Sequence, residues 1–205
     1  MKSFVVNNWS QLLSFSSQFP SAMGSMSGQV FRGQASVEWE LLPSLTRELR
    51  KGTIDTATAL ELEEILTAEF TARAYNCLDT NVLPRGDDPM SWWIFMQHHG
   101  APTRMLDWTA SFCVAAYFAA IEQPEHDGVI WCVPPKLVRE PLESQHGSPE
   151  IESGDAQRTN FLQSSAPNHL VFLTGKRKTS RMAAQQGLFT VSRNVLTDHG
   201  QVIKD

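Results

Sequence analysis

The chain has 205 residues, enough for one domain of ordinary size or one with an appendage, and its 41% hydrophobic content, with six Trp and eleven Phe, supplies a largely aromatic core. A net charge of −5 disfavours binding of nucleic acid by the whole surface, and no apolar run reaches the about 18 residues of a membrane span. The N-terminus lacks the basic region and apolar block of a signal peptide, and Cys77, Cys113 and Cys132 show no metal spacing, so the chain reads as cytoplasmic and reduced, with Cys113 and Cys132 expected in the core.

In chain order, Trp9, Leu12, Leu13 and Phe19 recur at helical spacing behind Asn8, a good N-cap, and predict a short surface helix over 8–19. Ser21 to Gly28 reads as a loop. Gln29 to Gln34 reads as a short strand with Arg32 between Phe31 and Gly33. An Arg inside a strand is costly to bury unless an anion or a carboxylate meets it, so Arg32 is a candidate anion binder, with a structural ion pair as the alternative. Gly33 lets another backbone or a ligand approach closely. Trp39 to Leu45 is an irregular apolar segment, closed by Arg47, Arg50 and Lys51. Residues 57–76 predict a helix with Leu60, Ile65, Leu66, Phe70 and Ala74 on its apolar side and Glu61, Glu63, Glu64 and Glu69 around it, Glu69 as a solvated acid. Pro84 to Pro89 is a loop. A further helix, about 90–99, carries Trp92, Trp93 and Met96.

Met96 to Ala120 then concentrates two His, an Arg, an Asp, a Trp and a Thr before an apolar segment. Gly100 and Pro102 break the preceding helix, and Thr109 and Ser111 are both candidate N-caps for a helix over 112–121. That helix is apolar on every face, which predicts that it is buried and that its N-terminus lies deep in the domain. The residues before it read either as a polar staple, with Arg104 paired to Asp107 and Trp108 over the helix start, or as a ligand-facing loop. Val129 to Val133 and His169 to Leu173 predict buried strands, and Leu188 to Val191 a last one. The polar residues 134–168 between them read as a long functional or disordered loop, the segment expected to move most. Residues 176–186 predict a turn and a short helix, and the basic run Lys176-Arg177-Lys178 reads as a solvated face. The chain stops at Asp205 in a polar segment without a clear closing element, which leaves open a longer natural protein.

Several chemistries find no support. Adjacent His98 and His99 on a helix point about 100° apart, and no third ligand stands at the spacing a metal needs. No nucleophile elbow and no Gly-rich phosphate loop is present. What remains is Arg32 on an early strand, a polar stretch ending at a helix N-terminus, and a late strand entered through Gln185-Gln186-Gly187.

Phe31-Arg32-Gly33-Gln34, with Trp39, Leu42-Pro43-Ser44-Leu45 and Arg47 behind it, resembles the opening of the FRG domain family. Met96-Gln97-His98-His99-Gly100-Ala101-Pro102-Thr103-Arg104-Met105-Leu106-Asp107-Trp108-Thr109 resembles its central signature, and Tyr117-Phe118-Ala119 the helix that follows. Arg181, Gln185, Gly187 and Phe189 match its closing pattern, so the resemblance runs from the first helix to about residue 192. The order of elements is also similar, more weakly, to the ADP-ribosyltransferase fold. This second resemblance implies an α+β fold: a split, twisted antiparallel sheet with packed helices; the chain is expected to be a single FRG domain over 1–205. It further implies an aromatic-Arg-Gly strand whose Arg holds the pyrophosphate side of NAD, a Thr before an apolar helix, and a closing Gln-x-Glu. Gly187 stands where that Glu would be. The expected function is therefore transfer of ADP-ribose from NAD to a protein or nucleic acid, by an effector of toxin or phage-defence type. Arg32, Gly33, Gln34, Arg104 and Thr109 are the expected NAD contacts, and His98, Asp107 and Gln185 the expected catalytic groups. Asp107 is expected to orient Arg104 or His98. The alternatives are a non-catalytic FRG module that binds a nucleotide or nucleic acid, and a hydrolase built on His98 and Asp107.

Overall fold

The structure is a computed structural model, and it describes residues 3–18, 28–84, 89–134, 170–173 and 187–204. Asn8 opens α1 (Trp9–Ser16) by accepting the Gln11 N–H, as its side chain suggests. Strand β1 (Val30–Gln34) follows, then α2 (Ser44–Leu49) and α3 (Thr56–Cys77), capped by the Asp55 carboxylate on the Thr58 N–H. Helix α4 (Pro89–His98) ends at Gly100, whose φ of 79° is the left-handed conformation that glycine adopts without penalty. Then come β2 (Met105–Thr109), α5 (Phe112–Ile121) capped by Ser111, β3 (Val129–Val133), β4 (Leu170–Leu173), β5 (Gly187–Ser192) and α6 (His199–Lys204).

The strands form one antiparallel sheet in the order β3-β1-β2-β5-β4, so the fold is α+β. Its two halves are unequally joined. β1 runs along β3 from Val30↔Val133 to Gln34↔Val129, and β2 runs along β5 from Met105↔Val191 to Thr109↔Gly187. Between β1 and β2 the register is the single pair Phe31↔Thr109, so the sheet is split at its centre.

Side chains alternate across each strand, which assigns the two faces. One face gathers Val30, Leu106, Trp108, Trp131, Val133, Phe172 and Leu188 with Leu41, and α6 brings Ile203 onto it. On the other, Met105, Phe189 and Val191 meet Met90, Trp93 and Met96 of α4. Beside them α5 lies directly on β1. A Cβ added at Gly33 would stand 1.8 Å from the Ala115 carbonyl oxygen, so the close approach that this glycine permits is made by the helix backbone.

Several sequence expectations change. Helix α5 is not buried all round: Ala115 is, but Tyr117 is 58% and Ile121 51% exposed, because only the Ala115–Ala119 side meets the sheet. Cys113, expected in the core, is exposed on the same helix, and Cys132 is half-buried. The end of the irregular apolar segment opens α2, and the stretch read as a loop before α5 is the central strand β2. The C-terminal region, read as lacking a closing element, holds α6 with His199 fully buried. The loops expected at 21–27 and 85–88, and the expectations for 135–168 and 176–186, fall outside the described residues. Among the described residues no helix is long and apolar enough to cross a membrane.

Candidate functional site

The central row of the sheet brings the motif segments together. Phe31 pairs with Thr109, and Thr109 pairs with Gly187, so the Arg-Gly strand, the Thr before α5 and the entry to β5 lie side by side. Thr109 is buried; its hydroxyl accepts the Ser111 N–H at 3.0 Å and so shapes the turn into α5, while Ser111 caps the helix by accepting from the Val114 N–H.

Arg32 stands at the split. Its Nη1 donates to the Asp107 carbonyl oxygen at 2.8 Å, across the opening between β1 and β2. Its Nε is buried and has no hydrogen-bond partner. Burial, opposed by the Asp107 charge and reinforced by the Arg47 charge, brings its pKa down from 12.5 to about 10, so the guanidinium stays charged at neutral pH. No ion pair of Arg32 with a carboxylate is present among the described residues; it donates to a carbonyl instead.

The other residues expected at the ligand divide differently. Gly33 is covered by α5, as described above. The Gln34 amide is used at both ends: its Oε1 accepts from Trp131 Nε1 at 2.8 Å and its Nε2 donates to the Glu40 carbonyl at 3.2 Å. Arg104 is fully buried and grips Glu63 with two bonds, Nε to Oε1 at 2.6 Å and Nη2 to Oε2, while Nη1 donates to the Arg193 carbonyl at 2.8 Å. Its guanidinium also lies over the Trp93 ring, 5.1 Å from the centroid. Arg104 therefore ties β2 to α3 and to the end of β5.

The expected pairing of Asp107 with Arg104 or His98 does not form. Arg104 lies in the bend before β2, over Trp93, and its charge is met by Glu63. The Asp107 side chain is exposed on the Thr109 side of the sheet and accepts from Gln97 Nε2 at 2.6 Å. Gln97 Oε1 in turn accepts from the Thr103 hydroxyl. His98 ends α4 half-buried, its ring edge-on to His99 at 5.2 Å. Trp108, expected over the helix start, instead points into the opposite core and donates its Nε1 to Thr190 Oγ1 at 2.8 Å. Gln185 lies outside the described residues.

Three residues escaped the sequence reading. Glu63 is buried, and the signal was its register with Ala59, Leu66, Phe70 and Ala74, one side of α3 at i, i+4 and i+7 spacing. Gln97 holds Asp107, and its place in the central motif was a signal without a role. His199 reaches Thr190 at 2.9 Å through Nδ1, and a polar tail gave no signal of that.

Residues 27–128 match the family model of the FRG domain. No curated protein and no solved structure matches the chain. The matched span holds the opening and central motifs, whereas the closing pattern from Arg181 to Phe189 lies beyond it, so the resemblance to residue 192 read from the sequence is wider than the match. The chain carries an FRG domain over residues 27–128.

Proposed function

We propose that the split between β1 and β2 binds NAD and that the protein transfers its ADP-ribose to a macromolecular acceptor. The observation that carries this reading is the row Phe31–Thr109–Gly187, with Arg32 beside it holding a buried donor free. An Arg with no carboxylate of its own suits the pyrophosphate of a dinucleotide. In the transfer, the bond between ribose C1′ and the nicotinamide nitrogen breaks and nicotinamide leaves. A nucleophilic oxygen or nitrogen of the acceptor bonds to C1′ and gives up its proton. The oxocarbenium-like state between them is stabilised by negative charge placed beforehand. Gly187 cannot supply it. Asp107 offers a carboxylate on the same face of β2 as Thr109, two residues along, with Gln97 fixing its orientation. Of the groups named from the sequence, Asp107 and Thr109 border the proposed split on the α5 face of the sheet, and Arg32 borders it from the opposite face.

Gly187 also favours a second reading, a non-catalytic FRG module that binds a nucleotide at the same split. One experiment separates the two. Protein is incubated with NAD labelled on its adenylate phosphate, with and without cell extract, and label on protein, RNA or DNA is followed together with released nicotinamide. Label transfer is the expected result. Nucleotide affinity by calorimetry without release or transfer selects the binding module; absence of all three removes the NAD reading.

A further inference from the structure

On the face opposite α5, a histidine from the C-terminal helix shares its surroundings with Arg32. Thr190 on β5 and Trp108 on β2 point to this face, and His199 sits over them. Thr190 Oγ1 accepts from Trp108 Nε1 and stands 2.9 Å from His199 Nδ1. In the tautomer in which the Thr190 hydroxyl donates to Nδ1, the proton of the neutral ring is on Nε2. Among the described residues His199 Nε2 is buried without a hydrogen-bond partner, and so is Arg32 Nε. The His199 backbone N–H donates to the Leu41 carbonyl, which fixes the start of α6 against the same core that holds Val30 of β1. Burial, then the charge of Arg32, then that of Arg104, pushes the His199 pKa from 6.5 to about 3, so the ring is neutral in the folded protein.

Leaving a buried donor unsatisfied costs about 1–3 kcal/mol, and two on one face call for an acceptor. We propose that His199 is a ligand-binding residue: its Nε2–H and the Arg32 Nε–H donate to oxygens of one phosphate or pyrophosphate group lodged at the split. The inference rests on the nucleotide reading for what carries the phosphate, but the site itself does not require NAD. A neutral imidazole suits the task. It donates one directed bond, whereas an imidazolium would add a second buried charge beside Arg32.

The test uses the full chain with 15N-labelled histidine, titrated separately with inorganic phosphate, pyrophosphate and NAD. Binding of pyrophosphate is expected to move the His199 Nε2 resonance and to keep its proton. His199→Asn retains an acceptor where Nδ1 stood but loses the Nε2 donor, so it is expected to fold and to bind pyrophosphate about 10- to 100-fold more weakly, the usual cost of a hydrogen bond to a charged group. An unmoved Nε2 resonance at saturation, or wild-type affinity in His199→Asn, overturns the proposal and leaves the donor to an internal water. If the variant does not fold, the wild-type resonance decides alone. A response to pyrophosphate with none to NAD keeps His199 and removes the NAD reading. NAD binding that leaves Nε2 unmoved does the reverse.

Discussion

Arg104 and Arg32 come from the two FRG motifs, and both are expected from the sequence to contact NAD, Arg32 at its phosphates. Their surroundings differ. Arg104 has Glu63, two carbonyl-side contacts and the Trp93 ring, all from the protein's own core. Among the described residues Arg32 has one carbonyl, an unpartnered Nε and no carboxylate in an ion pair. A buried cation with its counter-charge supplied is a strut. A buried cation without one is held ready for a charge from outside, at a cost that the fold must carry. Both read from the sequence as ligand contacts, and the position of a distant glutamate is what makes Arg104 a tie.

The sharpest way to break this comparison is to remove the counter-charge. Glu63→Ala leaves Arg104 buried without a carboxylate, and such losses cost about 3–5 kcal/mol. Denaturant unfolding should show a shift of that size with an unchanged slope. A change under about 1 kcal/mol, the range of exposed pairs, would mean that water reaches the pair and that Arg104 is no strut.

A pH titration extends the comparison to His199, which feels both arginines. Its folded pKa, about 3, lies below the unfolded value of 6.5. The unfolded chain therefore takes up the proton first. Stability from this group is complete above 6.5 and is lost as pH falls toward 3, with a slope approaching about 1.4 kcal/mol per pH unit. The slope should be shallower in His199→Asn over that window. Parallel curves for the two proteins would mean that the ring is not buried neutral.

The sequence reveals most where local chemistry decides. Asn8, Ser111 and Gly100 mark helix ends by their own side chains or lack of one, and the strands at 129–133 and 170–173 are apolar runs of strand length. The resemblance also anticipated an α+β fold with an antiparallel sheet. What stayed hidden was set by partners far along the chain. β2 carries an Arg just before it and an Asp within it, and reads as a loop until Glu63, 41 residues earlier, takes the charge. Helix α5 reads as wholly buried because apolarity alone does not say which side meets the sheet; Gly33 does. Among the proposed site residues, Arg32 and Thr109 were legible from motif and position. Gln97 and His199 were not, because their roles are hydrogen bonds to Asp107 and Thr190 that no local pattern records.

Arg32→Ala carries the opposite expectation from Glu63→Ala. It removes a desolvated cation and one bond to a carbonyl, so stability should change by less than about 1 kcal/mol. Nucleotide binding by calorimetry should fall below detection. Retained affinity would break the phosphate role, and a loss of stability comparable to that of Glu63→Ala would make Arg32 a second strut.

Asp107→Asn is expected to disturb the structure least and to say most about chemistry. The side chain is exposed, and an amide of the same shape still offers an oxygen to Gln97 Nε2, so stability should change by under about 0.5 kcal/mol. Three roles then separate. If the carboxylate faces developing positive charge at the ribose, turnover should fall about 10²–10³-fold while NAD affinity holds, since the interaction matters in the transition state alone. That is the outcome the proposed function requires. If Asp107 acts by placing Gln97 and the end of α4 around bound substrate, affinity and turnover should fall together and modestly. If it only links β2 to α4, neither should change in the folded protein. A variant as active and as tightly binding as wild type would take the carboxylate out of the reaction, and with Gly187 at the strand entry the chain would then be read as a nucleotide-binding module.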